Sequence, residues 1–368
     1  MTASEEIDRL VSEVKEDLQL LSLVSPTNLD EQKEKFLQGE VENPEFEYSD
    51  PPEELDTFEQ ELDRLKPPED EDEAVQELYA KTIDELKTFI GIAKNIGDEE
   101  KVREYSKKIW GKPDEETLEL AKDTLRYSDR TQESEEYIRA SGMKNRVEEV
   151  LEDLDVDWDA FYADTTTMRV FPAEERLEIP AGREFTENEL ERLPVHEIAG
   201  HALRGASGAE QPYGIMQSGA GEYKQIEEGI TTFLEDAAGL MDTETIRKYA
   251  ARVIAVDSML EGDSFRETYE KLTDPDHGEY RVDEDTAWSV TYRAHRAGGL
   301  SKDHIYLDLY RKLTDYLEEE EGDLKDLYIG KVNTDDAERL SELEQIREPL
   351  YAPHDVVEEA EEYWERDE

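Results

Sequence analysis

Two histidines five positions apart, His196 and His201, with Glu197 directly after the first, are residue types that can hold and use a divalent metal. Neutral imidazoles and a carboxylate are the ligands a catalytic zinc takes while keeping one position open for water. A glutamate beside them then serves as general base on that water. Histidine is scarce here, six in 368 residues, so two in one short block stand out. An acidic pair, Glu227-Glu228, follows 26 and 27 positions after His201. It opens an apolar-periodic run (Ile230, Phe233, Leu234, Ala237, Leu240) that reads as a second helix. A carboxylate from the first turn of that helix can reach the same metal.

The spacing makes a demand on the backbone. Zinc peptidases commonly set their histidines at i and i+4 on one helix face. Here the separation is five, and at about 100° per residue the two rings stand roughly 140° apart on a regular α-helix. Both can meet one ion only if a single π-turn inserts a residue, as often happens at functional sites, or if the helix ends between them. Ala199-Gly200, small and permissive, sits where that deformation falls. The competing reading makes the two histidines ordinary helix residues near a core. Pro194 ahead of His196, the His-Glu pair and the later Glu-Glu-Gly-Ile weigh against it.

These blocks, with Gln211-Pro212 and Glu227-Glu228-Gly229-Ile230, resemble the tyrosine carboxypeptidase family, which includes the microtubule-associated enzymes that remove the terminal tyrosine of α-tubulin. The resemblance extends to Asn43-Pro44-x-Phe46-x-Tyr48, Leu78-Tyr79-x-Lys81, Gly299-x-x-x-Lys302-Asp303-x-x-Tyr306-Leu307 and Tyr328-Ile329-Gly330-Lys331, from about residue 43 to residue 332. It implies His196, His201 and Glu228 as zinc ligands and Glu197 as the base. It also implies a preference for a terminal Tyr or Phe. One departure is visible: Ala199-Gly200 stands where the family usually has Gly-Thr.

A carboxypeptidase must grip the terminal carboxylate of its substrate, which Arg does bidentately. Arg204, one turn past His201, and the cluster Arg293, His295, Arg296, Lys302 and His304 are the cations near these motifs. We take Arg204, Arg293 and Lys302 as candidates for the carboxylate, and Tyr306 or His295 for the oxyanion. For any one of these cations, pairing with the abundant acids is the competing role. The expected reaction is zinc-dependent hydrolysis of a C-terminal peptide bond, with a peptide or protein C-terminus as substrate. The alternatives are an aminopeptidase or endopeptidase on the same zinc chemistry, or a non-catalytic regulatory protein of the same fold. An intact Glu197 counts against the last.

The chain around this site carries 99 acidic against 42 basic residues, a formal net charge of −57. Such self-repulsion destabilises a compact state at low salt, a lever halophiles use, and it is largely screened at 1 M, where the Debye length is about 3 Å. The composition therefore suits a salt-rich cytosol. A basic protein partner is the competing explanation, and nucleic acid is excluded because its phosphates would be repelled. No cysteine occurs, which rules out disulfides and thiolate ligands. No run of about 18 apolar residues could span a membrane, and the opening residues lack a basic-then-apolar signal profile. We expect a soluble, cytoplasmic protein.

Periodicity predicts the elements that hold the site. Amphipathic helices are expected within 4–38, then at about 54–65, 72–95, 98–109, 114–126 and 142–153. A proline- and acid-rich loop occupies 41–53. Period-two stretches at 157–164, 166–171 and 176–180 predict a small sheet just before the metal-binding helix. Its edge either receives extended substrate by strand addition or only packs on the helix. Further helices follow at 242–258 and 264–272, ahead of the block 288–317 that gathers positive and hydroxyl groups. The expected class is mainly α with a small β-sheet (α+β), divided into a helical lobe over 1–140 and a metallopeptidase-like lobe over 141–368 that together form one unit from about residue 43.

Overall fold

The structure, a computed structural model, describes residues 2–127, 137–274, 280, 282–318 and 323–364, with the backbone alone of Gln225. It is mainly helical with small sheets, as the patterning predicts. The first third holds α1 (Ala3–Leu18), α2 (Leu20–Leu23), α3 (Leu29–Leu37), α4 (Leu55–Leu62), α5 (Glu73–Lys94), α6 (Glu99–Trp110) and α7 (Glu115–Tyr127). Their starts follow from local chemistry: the side chains of Thr2, Asp72 and Asp98 each accept a backbone N–H in the first turn of the helix that follows. α1 buries Ile7, Leu10, Val11, Val14 and Leu18. Each such side chain stabilises the fold by about 1.5–3 kcal/mol.

Strand β1 (Tyr137–Arg139) precedes α8 (Ala140–Asp153), followed by β2 (Asp159–Ala163), β3 (Arg169–Phe171), β4 (Arg176–Pro180) and β5 (Glu184–Thr186). β4 lies between β2, which it pairs in parallel, and β3, which it pairs antiparallel. β1 and β5 form a separate antiparallel pair that period-two patterning did not predict, because three-residue strands carry too little alternation. β3 is an edge strand and packs against the segment that carries His196 and His201.

That segment begins as α9 (Glu187–Pro194), becomes a π-helix over Val195–Ala202 and continues as α10 (Leu203–Ala209). Then come α11 (Ile215–Ser218), α12 (Lys224–Ala237), α13 (Thr243–Glu261), α14 (Phe265–Thr273), α15 (Glu284–His295), α16 (Ile305–Glu318) and α17 (Thr334–Ser341). One apolar core draws on both sides of residue 140, from Ile7 and Leu78 to Ile198, Leu234 and Leu340. A second gathers Phe36, Leu125, Val253, Phe265 and Trp288. α16 joins them, giving Leu309 and Leu313 to the first and Leu307 to the second. α12 packs along α16 on one side and against the π-helix on the other.

Candidate metal centre

Of the two backbone solutions that the five-residue spacing allows, a π-turn or a helix end, the π-turn is present. Across Val195–Ala202 the helix widens, and the Leu203 N–H donates to Ile198 O, five residues back. Pro194, with no N–H to give, stands at the entry to the widened turn. The extra residue per turn brings His196 and His201 to one side, with ring centroids 5.0 Å apart. Gly200 lets α12 approach. A Cβ there would stand 2.3 Å from Thr231 Cγ2, so the Thr231 methyl fills the space a side chain at 200 would need.

That close approach delivers Glu228, one turn before Thr231. One nitrogen from each of His196 and His201 and one Glu228 oxygen lie within 4.8 Å of one another. His196 Nε2 is 3.9 Å from Glu228 Oε2, an atom that is buried and has no hydrogen-bond partner. Ligands 2.0–2.2 Å from a tetrahedral zinc stand about 3.3 Å apart, so a small side-chain shift closes the set. The donors and the orphaned oxygen fit such an ion. Burial raises the Glu228 pKa, but Lys302, His201 and His196 outweigh it and hold the carboxyl at about 2, ionised as a ligand must be.

A carboxylate lies beside each imidazole. Glu235, fully buried and seven residues past Glu228, accepts from His196 Nδ1 at 2.8 Å and from Arg192 Nη1 at 2.8 Å. That bond turns Nε2 toward the site. Burial opposes charge on this ring, yet Glu235 raises its pKa to about 9, so a metal binding there displaces a proton. Glu227 lies 3.4 Å from His201 Nδ1 and pairs with Lys331 at 2.7 Å. Burial raises its pKa, but Lys331 and His201 hold the carboxyl far below the usual range. Glu197 is 9% exposed and, among the described residues, has no hydrogen bond or ion pair.

The chain between the two ligand-bearing helices is braced from α1. Asp8 accepts from Gly214 N and Ile215 N at the start of α11 and from the Tyr79 hydroxyl. Seven residues on, Lys15 Nζ donates to Ser218 O at 2.9 Å and to Gly219 O at the other end of α11. Burial draws the Lys15 pKa down to about 7.

The candidate cations take different tasks from those the sequence suggested. Arg204 is fully buried and donates to Leu327 O and Val332 O, so it braces the core and does not face substrate. Arg293 is locked bidentately on buried Asp303. His295 is bound at Nε2 to Thr268 Oγ1 and packs on Phe265, in the second core and away from oxyanion duty. Lys302 and Tyr306 do join the site: Lys302 Nζ is 3.3 Å from Glu228 Oε1 and 5.2 Å from the Tyr306 ring centre. The Tyr306 hydroxyl has no partner among the described residues, and burial, with Glu228 nearby, raises its pKa. Glu235 and Arg192 escaped the sequence reading. The signal for Glu235 is its helical repeat with Glu228, seven positions on.

The sequence pattern of a family described as microtubule-associated tyrosine carboxypeptidase matches residues 34–363. No curated protein and no solved structure matches the chain.

Proposed function

The chain belongs to the microtubule-associated tyrosine carboxypeptidase family, and from that premise we propose a zinc-dependent carboxypeptidase that removes a terminal Tyr or Phe from a peptide or protein. The observation that carries the zinc reading is the convergence of His196, His201 and Glu228 across a π-turn, with Glu228 Oε2 left without a partner. A zinc ion bound there supplies Lewis acidity, polarising a carbonyl and acidifying water. Glu197 takes a proton from the attacking water as its oxygen bonds to the scissile carbon. It then delivers that proton to the leaving amine as the C–N bond breaks. Tyr306 offers its free hydroxyl to the developing oxyanion. Lys302, paired with Glu228 Oε1, would add positive charge beside it. The net charge of −57 makes molar salt the natural working medium. No described helix is long and apolar enough to cross a membrane.

Peptides of one sequence, with a free or an amidated C-terminus and a free or an acetylated N-terminus, test this reading. Only C-terminal amidation should abolish cleavage; loss on N-acetylation would make the protein an aminopeptidase. Glu197→Gln should retain metal while kcat falls by at least 10²-fold. Near-normal turnover in that variant would remove Glu197 as the base.

A further inference from the structure

In a chain with 99 acids and 42 bases, a cation whose guanidinium nitrogens are enclosed without an acidic partner is out of place. Arg252, half-buried on α13, is such a group. Its Nε and Nη1 are enclosed without an acceptor, and the side chain makes no hydrogen bond or ion pair with any described residue. The acid it influences most clearly, Asp303, already has both oxygens on Arg293. Lys248, one turn earlier on the same helix, is likewise without a hydrogen bond or ion pair among the described residues.

The position of Arg252 relates it to the metal centre. Its guanidinium carbon lies 4.4 Å from the ring centre of Tyr306 and 5.2 Å from that of Tyr249. Those rings stack on each other, 5.2 Å apart and 20° from parallel. The same Tyr306 ring has Lys302 Nζ 5.2 Å from its centre, and that ammonium touches Glu228 at 3.3 Å. Arg252 and Lys302, which pairs with the third candidate metal ligand, thus both lie beside one aromatic ring. A guanidinium set beside aromatic rings is pre-organised to meet a planar anion, and a carboxylate is the acceptor it lacks.

We propose that Arg252 binds the terminal α-carboxylate of the substrate, with the stacked Tyr249 and Tyr306 as the wall that orients its fork. Arg204 gives two donors to backbone carbonyls in the core and Arg293 is paired bidentately with Asp303, whereas Arg252 has no hydrogen bond or ion pair with any described residue. This rests on the carboxypeptidase reading and adds the residue that restricts cleavage to a chain end.

The test compares metal-loaded wild type, Arg252→Gln and Arg252→Lys on a free-ended peptide ending in tyrosine, with binding of 3-(4-hydroxyphenyl)propionate and its amide as a readout without turnover. We expect Arg252→Gln to raise KM at least 30-fold with kcat changed less than fivefold, and Arg252→Lys to recover part of the loss. Wild type should bind the propionate at least 30-fold more tightly than the amide, and Arg252→Gln should bind the two alike. An unchanged KM, or propionate still preferred over amide in the variant, overturns the assignment. If Arg252→Gln fails to fold, Arg252→Lys and the wild-type comparison decide, because equal binding of acid and amide by wild type also overturns it. Failure of the wild type to cut any free-ended peptide would instead defeat the carboxypeptidase reading.

Discussion

Gly200→Ala tests how the third candidate ligand reaches the other two. The new Cβ would lie 2.3 Å from Thr231 Cγ2, 3.1 Å from its Cβ and 3.2 Å from its Cα. Ordinary contact begins at 3.4 Å, so the methyl is at least about 1 Å too close. Rotating the Thr231 side chain away would break its bond from Oγ1 to Glu228 O, 2.9 Å long. The alternative is for α12 to retreat by about 1 Å, several times the roughly 0.2 Å latitude of a metal–ligand distance. Overpacking costs about 1–3 kcal/mol, which outweighs the 0.5–1 kcal/mol that replacing a helical glycine by alanine would add. We expect zinc affinity, measured by chelator competition in molar salt, to fall 10- to 100-fold, about 1.4–2.8 kcal/mol. Thr231→Ser removes the clashing methyl and keeps the hydroxyl, so the double variant should return to within about threefold of wild type. Wild-type zinc affinity in Gly200→Ala, or a double variant no better than the single one, would refute the claim that this close contact sets the reach of Glu228.

Two further predictions concern the scaffold. The His295 pKa is lowered to about 4 by burial and by Arg103. The unfolded chain therefore takes up this proton first, and the stability contributed above pH 6.5 is lost as the pH falls toward 4, by about 3 kcal/mol. In His295→Gln the difference in denaturation free energy between pH 7 and pH 4.5 should shrink by 1–3 kcal/mol, and an unchanged difference would contradict the shift. Lys15→Met leaves the Ser218 and Gly219 carbonyls without their ammonium, which should lower stability by about 1–3 kcal/mol. Zinc affinity should fall with it, since those residues lie between the ligand-bearing helices. A variant with wild-type zinc affinity would show that α1 braces the fold without positioning the site.

The elements were legible wherever apolar periodicity met a clear start or stop signal. α5, expected over 72–95, runs Glu73–Lys94, and α6, expected over 98–109, runs Glu99–Trp110, each begun by an aspartate cap. The π-turn was legible for a different reason: two histidines five apart cannot share an ion on a regular helix, so the chemistry constrained the backbone. Partner choice was not legible. Arg204, Arg293 and Arg252 are the same residue type, yet one meets the carbonyls of Leu327 and Val332, one Asp303, and one makes no hydrogen bond or ion pair with a described acid. Those differences come from segments more than a hundred residues away or from a turn ten residues on, which local pattern does not encode. The β1–β5 pair was missed because its pairing is long-range and each strand spans one alternation.

His196, His201 and Glu228 should together hold one zinc ion. Elemental analysis of protein prepared in molar salt without chelator tests it most directly. We predict one zinc per chain in the wild type and in Glu197→Gln, falling well below that in His196→Ala and in Glu228→Gln. Wild-type protein that stays metal-free when zinc is supplied, or variants that keep a full equivalent, would contradict it.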